Sequence, residues 1–140
     1  MHHTSRIHYE GFTLVEIMIV VAIIALLAGI AVPSFMRARK RSQAVATLET
    51  ARMIDGAKDQ YATENGKSIP TVPNWADLFP YVKSGSKLYL QLAANQIPVD
   101  ALQNSFVMNS VDIPPQVSSL TEAAVSDVLP SPTIFWGSYY

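Results

Sequence analysis

The 140-residue chain has no cysteine, and its three histidines fall at positions 2, 3 and 8. The first absence excludes disulfides, thiolate zinc sites, iron–sulfur ligation and cysteine nucleophiles. The second leaves everything beyond His8 without an imidazole base or ligand. A formal net charge of −1 gives no excess of base for coating phosphate backbones, so nucleic acid is not an expected partner. The length admits one small domain, or one domain with an appended segment.

Hydrophobic residues make up 49% of the chain and charged residues 15%, but they are segregated. Residues 1–36 sum to −1, residues 37–67 to +3 and residues 68–140 to −3. Between Phe12 and Met36 the single charged residue is Glu16, and Ile17 to Val32 is unbroken apolar sequence with one glycine. A helix over Phe12–Val32 is about 31 Å long at 1.5 Å per residue, close to the roughly 30 Å of a bilayer's hydrocarbon core. The run is apolar all round, and the residues outside it are too few to wrap it as a buried core helix. A membrane-crossing segment is the expected reading.

A secretory signal places its small-residue cut site after a shorter apolar core. Here the distinctive small residue, Gly11, precedes the run, behind a short polar leader with Arg6 and His8. Cleavage after Gly11 leaves the apolar segment on the mature chain. Glu16 is the other anomaly, because an acid inside a span costs several kcal/mol and marks function or a partner. Either it reaches up to headgroups and water, or it pairs with the free ammonium that cleavage creates on Phe12, about 6 Å of helix rise away.

The string Gly11-Phe12-Thr13-Leu14-Val15-Glu16 before a long apolar run resembles the class III signal of type IV prepilins and of the pseudopilins of type II secretion systems. Pro33 matches the proline these proteins carry near the end of the transmembrane part. The resemblance implies that a prepilin peptidase cuts between Gly11 and Phe12 and N-methylates Phe12. It implies that Glu16 pairs with the Phe12 ammonium of an adjacent subunit. It implies a single-pass inner-membrane protein, leader cytoplasmic and head periplasmic, that an inner-membrane assembly platform polymerises with other pilin or pseudopilin subunits into a pilus or pseudopilus. The implied fold is α+β: a long kinked N-terminal helix on a small antiparallel-sheet head. No catalytic residue or cofactor is implied. The expected parts are a leader (1–11), a transmembrane and polymerisation helix (12–36), an amphipathic continuation (37–66) and a globular head (67–140).

Charge bias points the other way. Arg37, Arg39, Lys40 and Arg41 flank the run downstream against Arg6 upstream, and such bases favour the cytoplasmic side. Taken alone, that bias places the C-terminal part inside the cell and suits a signal-anchored membrane protein of unrelated function; a signal-anchored protein whose head binds a periplasmic ligand is the alternative to a pilin-like subunit. The cluster itself is either a solvated, headgroup-proximal helix face or a set of partners for acids of a neighbouring subunit.

No breaker interrupts Ser34–Asp55, and Ala44, Leu48, Ala51, Ile54 and Tyr61 form one apolar stripe at helical spacing. Asn65-Gly66 is a stop, so one helix is expected from about Phe12 to Glu64, bent at Pro33 with Gly29 one turn earlier easing the strain. Beyond Gly66, prolines forbid long elements. Asn74 caps a predicted helix over Trp75–Phe79, with Trp75, Leu78 and Tyr81 packing onto the long helix. Lys87–Leu92, Ser105–Val111 and Thr133–Tyr139 read as strands. Ser119 with Glu122 reads as a capping box for a helix over Leu120–Leu129. The aromatic tail, Phe135 to Tyr140, is expected as a final strand or an exposed subunit contact. Asp100, Asp112, Glu122 and Asp127 raise the possibility of calcium, but they lack the closely spaced pattern that calcium loops use.

Overall fold

A computed structural model describes residues 11–140. They divide into two compact units, one running up to Met36 and the other Arg37–Tyr140. Helix α1 spans Leu14–Asn65, with Pro33 inside it. Four short helices follow: α2 (Trp75–Leu78), α3 (Lys87–Ala93), α4 (Ser119–Val125) and α5 (Pro132–Trp136). Single 3-10 turns extend α2 over Phe79–Tyr81 and α5 over Gly137–Tyr139.

In the second unit α1 buries the stripe expected of it. Ala44, Ala51 and Ile54 are fully buried, and Leu48 and Tyr61 pack at its edges. Alanines at 44, 51 and 57 let the covering segments approach the helix backbone closely. The cover is Leu78, Leu88, Leu92, Phe106, Val117, Val125, Val128 and Trp136. Leu78 is buried, with Trp75 and Tyr81 packed partly against the core as expected, and the Tyr81 ring meets Tyr61 edge-on at 6.2 Å.

The antiparallel sheet is not found: among the described residues there is no β-strand, only isolated antiparallel bridges at Val99–Ser105 and Val107–Gln116. Each misread segment has a local reason. In Lys87–Leu92, a strand would put Leu88, Leu90 and Leu92 on one face. Instead Ser86 accepts from Tyr89 N and starts α3, which buries Leu88 and Leu92 and leaves Leu90 61% exposed. Ser105–Val111 pairs at two isolated points, Ser105 with Val99 and Val107 with Gln116, and the second pairing goes no further because Pro114 and Pro115 interrupt the opposing segment and lack the N–H that a ladder needs. Thr133–Tyr139 is helical, since Pro132 suits the first helical position and Gly137, at φ +59°, turns the chain where a side chain would be strained. The tail is therefore tucked in as helix, with Trp136 buried and Tyr139 O accepting from Val117 N.

α4 is shorter than expected and its cap is Ser118, whose Oγ accepts from Leu120 N, rather than Ser119. It ends at Val125 because the next residues are drawn onto α1. Lys40 Nζ donates to both oxygens of Asp127 at 2.9 Å, and Arg41 Nε donates to Val128 O at 3.0 Å.

Polar groups of α1 also reach the irregular segments. Thr47 Oγ1 accepts from Ala101 N, Asp55 accepts from the Tyr139 hydroxyl, and the buried Lys58 donates to Ile113 O. Desolvation lowers the Lys58 ammonium below the ordinary lysine value, opposed by Asp55, Asp59 and Asp112. The hydrogen bond from Lys40 holds the Asp127 carboxyl below its ordinary value.

Two predictions follow from this packing. If α3 is a helix, Leu88→Ala lowers unfolding free energy by about 2–5 kcal/mol, whereas Leu90→Ala stays within about 0.5 kcal/mol. Equal losses in urea unfolding would restore the strand. The second concerns pH. Asp127 contributes stability that is present above its unfolded pKa and lost as pH falls through its lowered folded value, so Asp127→Asn shows a smaller acid loss. Lys58 has the opposite sense: its burial penalty is fully present below its lowered pKa and disappears as pH rises towards about 10.4. Unfolding of the full chain in detergent, compared between wild type and Lys58→Met, shows an alkaline gain in the wild type alone.

Candidate functional site

The first unit holds the residues that the motif singles out. Gly11, Phe12 and Thr13 precede α1, and Phe12 is 84% exposed. Thr13 and Glu16 form a capping box. Glu16 Oε2 accepts from Thr13 N at 2.8 Å and from the Thr13 hydroxyl at 2.7 Å, while Thr13 Oγ1 accepts from Glu16 N at 3.3 Å. The box satisfies two of the amides left free at any helix start, and the acid complements the positive end of the helix. Its other oxygen, Oε1, has no hydrogen bond among the described residues. Glu16 thus has a local role that the pairing idea alone did not supply. The signal for it, Thr-x-x-Glu, was present in the sequence.

From Leu14 to Met36 the helix is exposed throughout, with Leu14, Ile30 and Phe35 each at least 70% accessible. Large apolar side chains left open along more than six turns have no cover among the described residues, which is the condition of a surface meant for lipid or for other chains. α1 is long and apolar enough to cross a membrane. Gly29 has nothing within 4 Å of where a Cβ would stand, so packing within the chain does not demand glycine there. Pro33 has no N–H, so the Gly29 carbonyl that a residue-33 amide would bond is left without its helical partner.

The basic cluster divides. Lys40 and Arg41 are engaged by Asp127 and Val128, while Arg37 and Arg39 are exposed. The four acids weighed for calcium are separately engaged or apart. Asp100 accepts from Leu102 N, Asn104 N and the Thr121 hydroxyl, and Asp112 from the Ser110 hydroxyl. Asp127 is bound to Lys40, and burial raises the Glu122 carboxyl. Among the described residues no three His, Cys, Asp or Glu side chains are grouped so as to hold a metal ion.

Residues 7–32 match the family described as the prokaryotic N-terminal methylation motif. Over 51 residues the chain is 47% identical to the type IV wide pilus major component of Thermus thermophilus, covering 36% of this chain and 37% of that protein. It is 39% identical over 58 residues to the type IV major pilin protein of Myxococcus xanthus, covering 41% and 26% respectively. It is 33% identical over 58 residues to the type II secretion system core protein G of Klebsiella pneumoniae, covering 41% of each. The matches thus span about two fifths or less of these relatives. No solved structure matches the chain. Its N-terminal segment, from the Gly11-Phe12 junction and the Thr13–Glu16 box into the exposed apolar helix, carries the N-terminal methylation motif and is similar to the same part of type IV pilins and of a type II secretion pseudopilin.

Proposed function

We propose that the protein is a structural subunit, without a catalytic role, of a type IV pilus or a type II secretion pseudopilus. Prepilin peptidase cuts it between Gly11 and Phe12 and methylates the new Phe12 amine. It waits as a single-pass inner-membrane protein with the head in the periplasm, and an assembly platform then draws it into a polymer with other pilin or pseudopilin subunits. The observation that carries this reading is the motif at Gly11–Glu16 heading a helix whose apolar surface is left exposed among the described residues. In the membrane, lipid covers that surface; in a filament, the helices of neighbouring subunits do.

The capping box sharpens the role of Glu16. One carboxylate oxygen is taken by Thr13 of the same chain, and Oε1 is left for the Phe12 ammonium of an adjacent subunit. In low dielectric an unpaired carboxylate is costly, so only registers that supply an ammonium are tolerated. Gly29 and Pro33 supply a place where the helix bends as it enters the filament. The reading calls for no cofactor. A signal-anchored membrane protein with a periplasmic ligand-binding head is the second reading; the bases downstream of the span count against the pilin orientation without favouring that head.

Mass spectrometry of the protein from its native host separates the two. The filament reading expects a chain starting at N-methylated Phe12, and an intact Met1 start overturns it. Glu16→Ala is expected to insert into the membrane and be cut normally, yet to be absent from sheared filaments. Wild-type incorporation of that variant would remove the register role.

A further inference from the structure

Filament assembly through the apolar helix leaves one feature unused: the basic cluster at the start of the second unit and the cleft beside it. Arg37, Arg41 and Val45 are spaced four residues apart and share one face of α1, whereas Arg39 is displaced from that face by about 200°. Arg37 is exposed and lies near enough to Asp127 to help lower its pKa. Arg41 uses Nε on Val128 O, and its terminal guanidinium nitrogens have no bond among the described residues. Next to Arg41 opens a cleft of about 520 Å³ walled by Val45, Leu129, Pro130 and Phe135. The one acid at this place, Asp127, already has both oxygens on Lys40.

We propose that Arg37, Arg41 and this cleft form a binding site for an anionic phospholipid. The two guanidinium forks hold the headgroup phosphate, and the apolar walls take the part of the lipid next to it. Three observations select this occupant. A planar guanidinium matches phosphate oxygens in pairs. Uncompensated bases beside an apolar slot suit a ligand that is anionic at one end and greasy at the other. The cluster begins at Arg37, directly after the 12–36 segment in which Glu16 is the single charge, which is where a spanning helix meets headgroups. Free phosphate has the charge but no use for the walls.

The proposal rests on the membrane anchoring of the reading above, not on filament assembly. The test uses the full chain in nanodiscs containing equal amounts of phosphatidylcholine and phosphatidylglycerol. The protein is re-extracted in mild detergent, and the lipid it retains is counted by mass spectrometry. The wild type is expected to retain phosphatidylglycerol preferentially, with Arg37→Gln or Arg41→Gln lowering that preference about five-fold each. Arg39→Gln changes net charge equally and is expected to leave the preference intact. Arg37→Gln breaks no hydrogen bond among the described residues, so its loss of lipid is not a loss of fold. Val45→Asp, at a half-exposed wall position, is expected to expel the lipid.

Equal losses from all three arginine variants would mean diffuse attraction and would overturn the site. Displacement of the lipid by inorganic phosphate, or retention without headgroup preference, would overturn it as well. So would a Val45→Cys cross-link between two copies that forms equally well with and without anionic lipid, since the cleft would then belong to a second chain. No assembly machinery is present in the nanodiscs. Failure here therefore leaves the filament reading standing, and failure of that reading leaves this result standing.

Discussion

Everything in the second unit depends on one contact surface, the stripe of α1 that runs through Ala44, Thr47, Ala51, Ile54, Ala57 and Lys58. The helices laid on it have seven residues or fewer, too short to be stable alone. There is no ladder among the described residues to hold the segments between them. Burial against the stripe supplies the apolar drive, and polar side chains of the same helix answer loop groups that a sheet would otherwise have paired. Lys58 with Ile113 O, Thr47 with Ala101 N and Arg41 with Val128 O are three such answers. A buried ammonium is an expensive way to satisfy a carbonyl. Its presence shows how much of the unit's backbone lies outside regular structure.

The features legible in the sequence were those set by local pattern over long stretches. The Gly11–Glu16 motif, the apolar run and the stripe from Ala44 to Tyr61 each repeat a rule often enough to be read without a structure. Short segments were not legible, because their state is decided by what they touch. Leu88-Tyr89-Leu90-Gln91-Leu92 satisfies alternation and helical spacing alike, and only the Ser86 cap with the burial of Leu88 and Leu92 decides between them. At the candidate site, Glu16 is legible as an anomaly in an apolar run, and its bond to Thr13 is legible only as the local Thr-x-x-Glu spacing. Lys58 gave no signal, since a lysine within a polar-rich helix reads as solvent-facing.

The position of the positive charges also has a physical account. A downstream flank of four bases is the wrong sign for a chain whose C-terminal part leaves the cytoplasm. Two of the four are used within the folded unit, Lys40 as a clamp on Asp127 and Arg41 as a donor to Val128. Folding demands bases there whatever their effect on orientation, and the segment between α4 and α5 is held to α1 by them.

Those same bonds join residues very far apart in the chain. Lys40 to Asp127 closes 87 residues, and Tyr139 to Asp55 closes 84. Because closing such spans loses entropy before any contact rewards it, a topology of this kind folds late and slowly. The stripe on α1 has to stay bare while the chain up to Tyr139 is being made. During that interval the second unit is a helix without its cover, as adhesive along its lower half as along its upper, and open to capture by whatever chaperone or neighbouring chain reaches it first. The timing of synthesis, as much as the final packing, therefore governs how many copies reach the folded state.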